Sequence, residues 1–110
     1  MKVPNGDKAV IDLRKLEEYC LNADHEVGGH KARVFASALN LTPENAPQLS
    51  NALLKAVLSE EAKPGPVNKH GLKFIVDFDM WNEGRVARVR SVWIIDNGEE
   101  NPRLVTCLVI

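Results

Sequence analysis

The densest set of side chains able to do chemistry is the run His25-Glu26-Val27-Gly28-Gly29-His30-Lys31-Ala32-Arg33. It holds two imidazoles, an ammonium and a guanidinium beside a glycine pair. If a helix starts near Gly29, His30 and Arg33 share a face at i, i+3. An imidazole gives or takes a proton near neutral pH. Lys31 and Arg33 can flank an anionic group, and a helix N-terminus adds positive potential for a phosphate. This kit suits cleavage of RNA by its own 2′-hydroxyl. His30 serves as base or acid, and the cations stabilise the charged transition state. Such a reaction needs neither metal nor cofactor. The plainer reading is that loop histidines and helix-surface Lys and Arg are solvated residues or caps.

A second set is Arg88, Arg90, Arg103 and Thr106. Arg88 and Arg90 share a strand face by the period of two. A hydroxyl on the next strand, beside guanidiniums, suits phosphate binding. The competing reading is a solvated sheet face with cross-strand pairs. A zinc site from His25, His30, His70, Asp24 or Cys20 matches no established ligand spacing. Trp93 reads as core before base-stacking platform, and Asp77 and Asp79 stand too far apart from other acids to propose as a pair.

The elements that must position these residues follow from periodicity. Asp12 fits an N-cap, and Leu13, Leu16, Tyr19 and Cys20 recur at helical spacing, which predicts a first helix fading near Asn22. Gly28-Gly29 breaks the chain and allows positive φ. Ala32, Phe35, Ala36 and Leu39 then mark a second helix. Thr42-Pro43 starts a short turn, and a third helix runs from about Ala46 with Leu49, Ala52, Leu53, Ala56 and Val57 as its buried stripe. Lys63-Pro64-Gly65-Pro66 is a breaker run. Beyond it the period becomes two. Leu72, Phe74, Val76 and Phe78 mark one strand, Arg85 to Ile95 a second and Arg103 to Ile110 a third. Trp81-Asn82-Glu83-Gly84 and Asp96-Asn97-Gly98-Glu99 read as the hairpin turns. The expected fold is α+β: three N-terminal helices packed on a C-terminal antiparallel β-meander of three to four strands. It forms a single domain over 1–110, with a helical part at 12–62 and a sheet part at 70–110.

Bulk properties narrow the classes. The 110 residues are 45% hydrophobic and 26% charged, which argues against disorder. The net charge of −1 gives no global attraction to nucleic acid. Cys20 and Cys107 sit in apolar runs and read as buried free thiols. The opening MKVPNGDKAVID has no apolar region of a signal peptide, and no apolar run reaches the roughly 18 residues of a membrane span. Cytoplasmic residence, away from any membrane, is the expectation.

The stretches VPNGDKAVIDLRKLEEY, LNADHEVGGHKARVFASALNLT and RVRSVWIIDNGEENPRLVTCLVI resemble an uncharacterised family of bacterial domains about as long as this chain. The most specific positions are His25, Val27, Gly28, His30, Lys31, Ala32, Arg33 and Phe35, then Trp93, Pro102, Arg103, Leu104 and Thr106. Members resembling it stand free in two-protein cassettes or form C-terminal, toxin-like modules. The architecture is also similar to that of RelE-type and colicin-type RNase toxins. The resemblance implies a toxin-like, metal-independent ribonuclease domain acting on RNA and neutralised by a small antitoxin or immunity protein. His30, Lys31, Arg33 and Thr106 would be catalytic, and His25, Arg90 and Arg103 would bind substrate phosphate. The alternative is a non-catalytic interaction module, the antitoxin or accessory half of such a cassette.

Overall fold

The structure, a computed structural model, describes residues 1–66 and 68–110. Its N-terminal half is helical and its C-terminal half is a four-stranded antiparallel sheet, an α+β layout. Helix α1 spans Leu13–Lys15 and continues as one wide π turn over Leu16–Cys20. Helices α2 and α3 span Gly29–Leu39 and Ala46–Ser59. The strands are β1 (Ala62–Pro64), β2 (Gly71–Asn82), β3 (Arg85–Asp96) and β4 (Arg103–Val109), side by side in that order.

These elements correct the expectation of three helices on a meander of three to four strands within 70–110. The first helix is not regular. Asp12 does cap it, its carboxylate accepting from the Arg14 N–H at 3.0 Å. Within one turn, however, the bonding widens, and the Leu21 N–H donates to the Leu16 carbonyl at 2.9 Å. The reason is burial. A wider turn brings Leu21 round to the side of Leu16 and Cys20, and all three are buried, whereas Leu13 is exposed. The breaker run also contains a strand. Pro64 pairs with Phe74 because β1 lies at the sheet edge, where a missing N–H costs no ladder bond. The first hairpin is tighter than expected. β2 runs through Trp81 and Asn82, and only Glu83 and Gly84 form the turn, with φ of 50° and 75°. Two positive φ values suit the twist of the flanking strands.

Helices α2 and α3 cover one face of the sheet. Phe35, Leu39, Leu49, Leu53 and Val57 meet Phe74, Val76, Phe78, Val89 and Trp93 there, all buried. Ala36, expected on the buried stripe, is exposed. Under the helices the Trp93 indole N–H donates to the Ser91 hydroxyl at 2.9 Å, which donates to the Val76 carbonyl at 2.7 Å. The N-terminal segment clasps the sheet at both ends. The Ala62 N–H donates to the Met1 carbonyl, and Val10 bridges Arg103 in parallel, its N–H donating to the Pro102 carbonyl.

The opposite face carries charge. Arg90 and Asp77, opposed across β3 and β2, make two hydrogen bonds of 2.9 Å. Arg88 reaches Asp79 at 3.2 Å, and Arg103 grips Asp96 at 2.6 and 3.1 Å. The Arg90 guanidinium is the main cause holding the Asp77 carboxyl below its ordinary value. A depressed folded pKa stabilises the fold above the unfolded value, and that contribution is lost as pH falls through the folded pKa. Asp77→Asn should therefore melt below the parent at pH 7, with the difference closing below about pH 4. Thermal melts at pH 7 and in strong acid check this. A gap unchanged by acid would show that the pair contributes through packing and not charge.

Candidate functional site

Lys15 and Tyr19, one turn apart on the first helical segment, face the start of α2 and β4. The Lys15 ammonium donates to the Val105 carbonyl at 2.9 Å and ties this segment to β4. At that point β4 slips register between its pairings Val92–Thr106 and Trp93–Leu104, leaving Val105 extra. Such a bulge bends a strand and re-aims its neighbours. The Tyr19 ring stands edge-on to His25, with centroids 4.7 Å apart and planes at 79°. The His25 Nδ1 accepts from the N–H groups of Val27 and Gly28, each at 3.0 Å. In the neutral imidazole that leaves the ring proton on Nε2.

The glycine pair is there for close approach. Neither glycine has positive φ, contrary to the sequence expectation, and Gly28 has φ −90°. A Cβ on Gly28 would lie 3.0 Å from the Tyr19 ring, and one on Gly29 would lie 2.6 Å from the Ala23 carbonyl. The same carbonyl accepts from Arg33 Nη1 at 2.8 Å. Gly29→Ala should push the loop off α2, break the Arg33 bond and cost about 1–3 kcal/mol, measurable as a lower denaturant midpoint. A midpoint equal to the parent's would mean that the loop yields without strain.

Two adjoining hollows share Lys15 and Tyr19. One, of about 450 Å³, includes Asp12, Arg14, Glu18 and His25. The other, of about 380 Å³, includes Lys31, Val105 and Thr106. The Thr106 Oγ1 is buried without a hydrogen-bond partner. Behind it lie the two free, buried thiols. Hydrogen bonding with Cys107 lowers the Cys20 thiol against the opposing effect of burial, with smaller help from Lys15 and Thr106. The same pairing and its own burial raise Cys107.

Of the residues singled out in the sequence, the fold brings Lys31 and Thr106 to one hollow and His25 to the next. His30, just before Lys31, is exposed on the first turn of α2 and lines neither. Arg33 is held by the loop. Arg90 and Arg103 are engaged by Asp77 and Asp96. Arg90 also alternates with buried Val89 and Ser91, so it lies on the sheet face away from α2. Lys15 and Tyr19, which line both hollows, are not among the residues singled out in the sequence. Their i, i+4 spacing was the available signal, but Tyr19 was absorbed into an apolar stripe. Among the described residues, no three His, Cys, Asp or Glu side chains gather as a metal site. No helix among them is long and apolar enough to cross a membrane.

Comparison with solved structures finds a chain of the contact-dependent growth inhibition toxin–immunity protein complex from Klebsiella pneumoniae 342. The similarity covers 92% of this chain and 99% of that one, with a TM-score of 0.71 and 13% identity. At that identity the likeness is one of fold. No curated protein matches the chain. A family model described as a domain of unknown function, DUF6883, matches residues 2–110. With nearly every residue inside that match, the chain belongs to the DUF6883 family.

Proposed function

We propose that this chain is the toxin-type member of a toxin–immunity pair and a metal-independent ribonuclease, with its reaction centre in the cleft between Tyr19 and Thr106. The observation that carries this reading is the hollow that Thr106 lines together with Lys15 and Lys31, the Thr106 hydroxyl being buried towards the Cys20 thiol without a well-formed hydrogen bond. An orphaned buried hydroxyl costs free energy unless something completes it, and a phosphate oxygen would. Lys31 and Lys15 then hold the scissile phosphate, and the Thr106 hydroxyl donates to one of its oxygens. His25, its Nδ1 occupied, offers Nε2–H as a further donor. His30 lies outside both hollows, and its role as the base for the 2′-hydroxyl proton requires its exposed imidazole to turn towards the hollow of its neighbour Lys31. Arg33, Arg90 and Arg103 hold the fold and leave the phosphate to the lysines. The shared fold with a chain of a growth-inhibition toxin–immunity complex supports the pairing with a small neutralising protein.

One observation favours the alternative of a non-catalytic interaction module: Arg33, Arg88, Arg90 and Arg103 are all engaged within the chain. Induced expression in a bacterium separates the two. The ribonuclease reading expects growth arrest and RNA fragments ending in 2′,3′-cyclic phosphate, with cleavage by purified protein unaffected by a chelator. Folded protein that leaves growth and RNA intact overturns it in favour of the interaction module.

A further inference from the structure

Two nucleophiles are left unused by the chemistry of the cleft. Cys20 closes the wide turn of the first helical segment, and Cys107 lies on β4 opposite Ser91. Both are free thiols, and both are buried. They belong to the two walls of one hollow. The first segment carries Lys15 and Tyr19 on one side, and β4 carries Val105 and Thr106 on the other. The Lys15 bond to the Val105 carbonyl sets the segment against β4. Five residues on from Lys15, the Cys20 sulfur comes within hydrogen-bonding reach of the Cys107 thiol and of the Cys107 backbone N–H. A cysteine used only as apolar filler needs no polar company. The Cys20 sulfur has it, since the Lys15 ammonium and the Thr106 hydroxyl also act on it. The Cys107 thiol is the main cause that brings Cys20 down to about 7, against the opposing effect of burial. Cys107 itself is raised by the same pairing and by burial. Such an uneven pair suits a dithiol in which one sulfur attacks and the other resolves.

We propose that Cys20 and Cys107 form a reversible disulfide by exchange with an external disulfide, Cys20 attacking first, and that the bond staples the first helical segment to β4. The Cys20 thiolate attacks one sulfur of the external disulfide, whose other sulfur leaves as a thiolate and takes up a proton. In the resulting mixed disulfide the Cys107 thiol gives up its proton, and its sulfur attacks Cys20 Sγ. The Sγ–Sγ bond forms, and the second external sulfur leaves and takes that proton. The chain's two thiols lose two electrons and two protons, and the external disulfide becomes two thiols. Because both sulfurs are buried, the first attack waits for the segment to lift from β4. The finished bond prevents that lifting. It closes a loop of roughly 90 residues, and long loops are where a cross-link restricts the unfolded chain most. A reducing compartment keeps the dithiol, and an oxidising one makes the staple. The site stands whether or not the cleft cleaves RNA.

The probe is oxidised glutathione, added to the folded full-length chain. Both thiols should disappear together, leaving a monomer lighter by two hydrogens whose digest holds a peptide of Cys20 linked to one of Cys107. The unfolding equilibrium constant of this form should fall about 30-fold or more below that of the reduced form. Excess dithiothreitol should restore both thiols and the original denaturant midpoint. Cys107→Ala should collect glutathione at Cys20, and Cys20→Ala should leave Cys107 largely unreacted. Each variant is compared with its own untreated form, so a lower stability from the substitution itself does not blur the result. Thiols that persist in the folded chain while the denatured chain oxidises overturn the proposal. So do glutathione adducts on both cysteines, disulfide-linked dimers, an oxidised form no more stable than the reduced one, or faster reaction at Cys107 than at Cys20.

Discussion

If the proposed ribonuclease reading holds, Thr106→Val is expected to lower RNA cleavage about 100- to 1000-fold, the usual effect of removing one donor aimed at developing charge. Valine has nearly the same shape, and the hydroxyl it replaces is buried without a partner. Melting temperature should therefore hold or rise, because an unsatisfied polar group is removed. Lys31→Ala, at an exposed position, should show the same separation of activity from stability. Growth arrest and thermal melts on the same two variants test this. Arrest at parental strength in both would remove the cleft as the reaction centre. Loss of arrest in proportion to loss of folded protein would make the residues structural.

The largest effect on stability is expected at Trp93. Its side chain is fully buried, and its indole N–H begins the bonded chain through Ser91 to the Val76 carbonyl. Truncation to alanine should cost about 3–5 kcal/mol from lost packing and cavity. Against a typical total of about 5–15 kcal/mol, that removes a large share of the stability. Trp93→Phe keeps much of the volume and loses the hydrogen bond, so a smaller loss of about 1–3 kcal/mol follows. Denaturant titrations give both values. Equal losses in the two variants would assign the effect to the hydrogen bond and not to the packing.

Legibility in the sequence followed the strength of local signals. Helix α3 was readable because Thr42 and Pro43 mark its approach and apolar residues recur through its length. Strands β2 and β3 were readable because a buried face and a charged face alternate along them. The first helical segment was not readable as it stands, because a π turn leaves no mark in a pattern read at the regular helical period. β1 was hidden by its proline, whose tolerance depends on being at an edge, a property of the whole sheet. In the site, residue types were visible but partnerships were not. Arg90 and Arg103 looked available until Asp77 and Asp96 were placed opposite or beside them. Lys31 and Thr106 lie 75 positions apart in sequence and meet only through the packing of α2 beside β4.

The clasp formed by the first ten residues bears on how quickly the molecule can assemble. Val10 waits for Pro102 and Leu104, and Lys15 waits for Val105. Each of these contacts closes a loop of roughly 90 residues, and long closures slow folding more than they weaken the finished fold. Helices α2 and α3 can form early from local contacts. The cleft has no second wall until β4, made last among the strands, has docked. A nascent chain emerging from a ribosome thus carries its lysines and its Thr106 apart until the sheet is complete, and on the proposed toxin reading the time needed for that last closure is an interval in which a neutralising protein would meet an inactive chain.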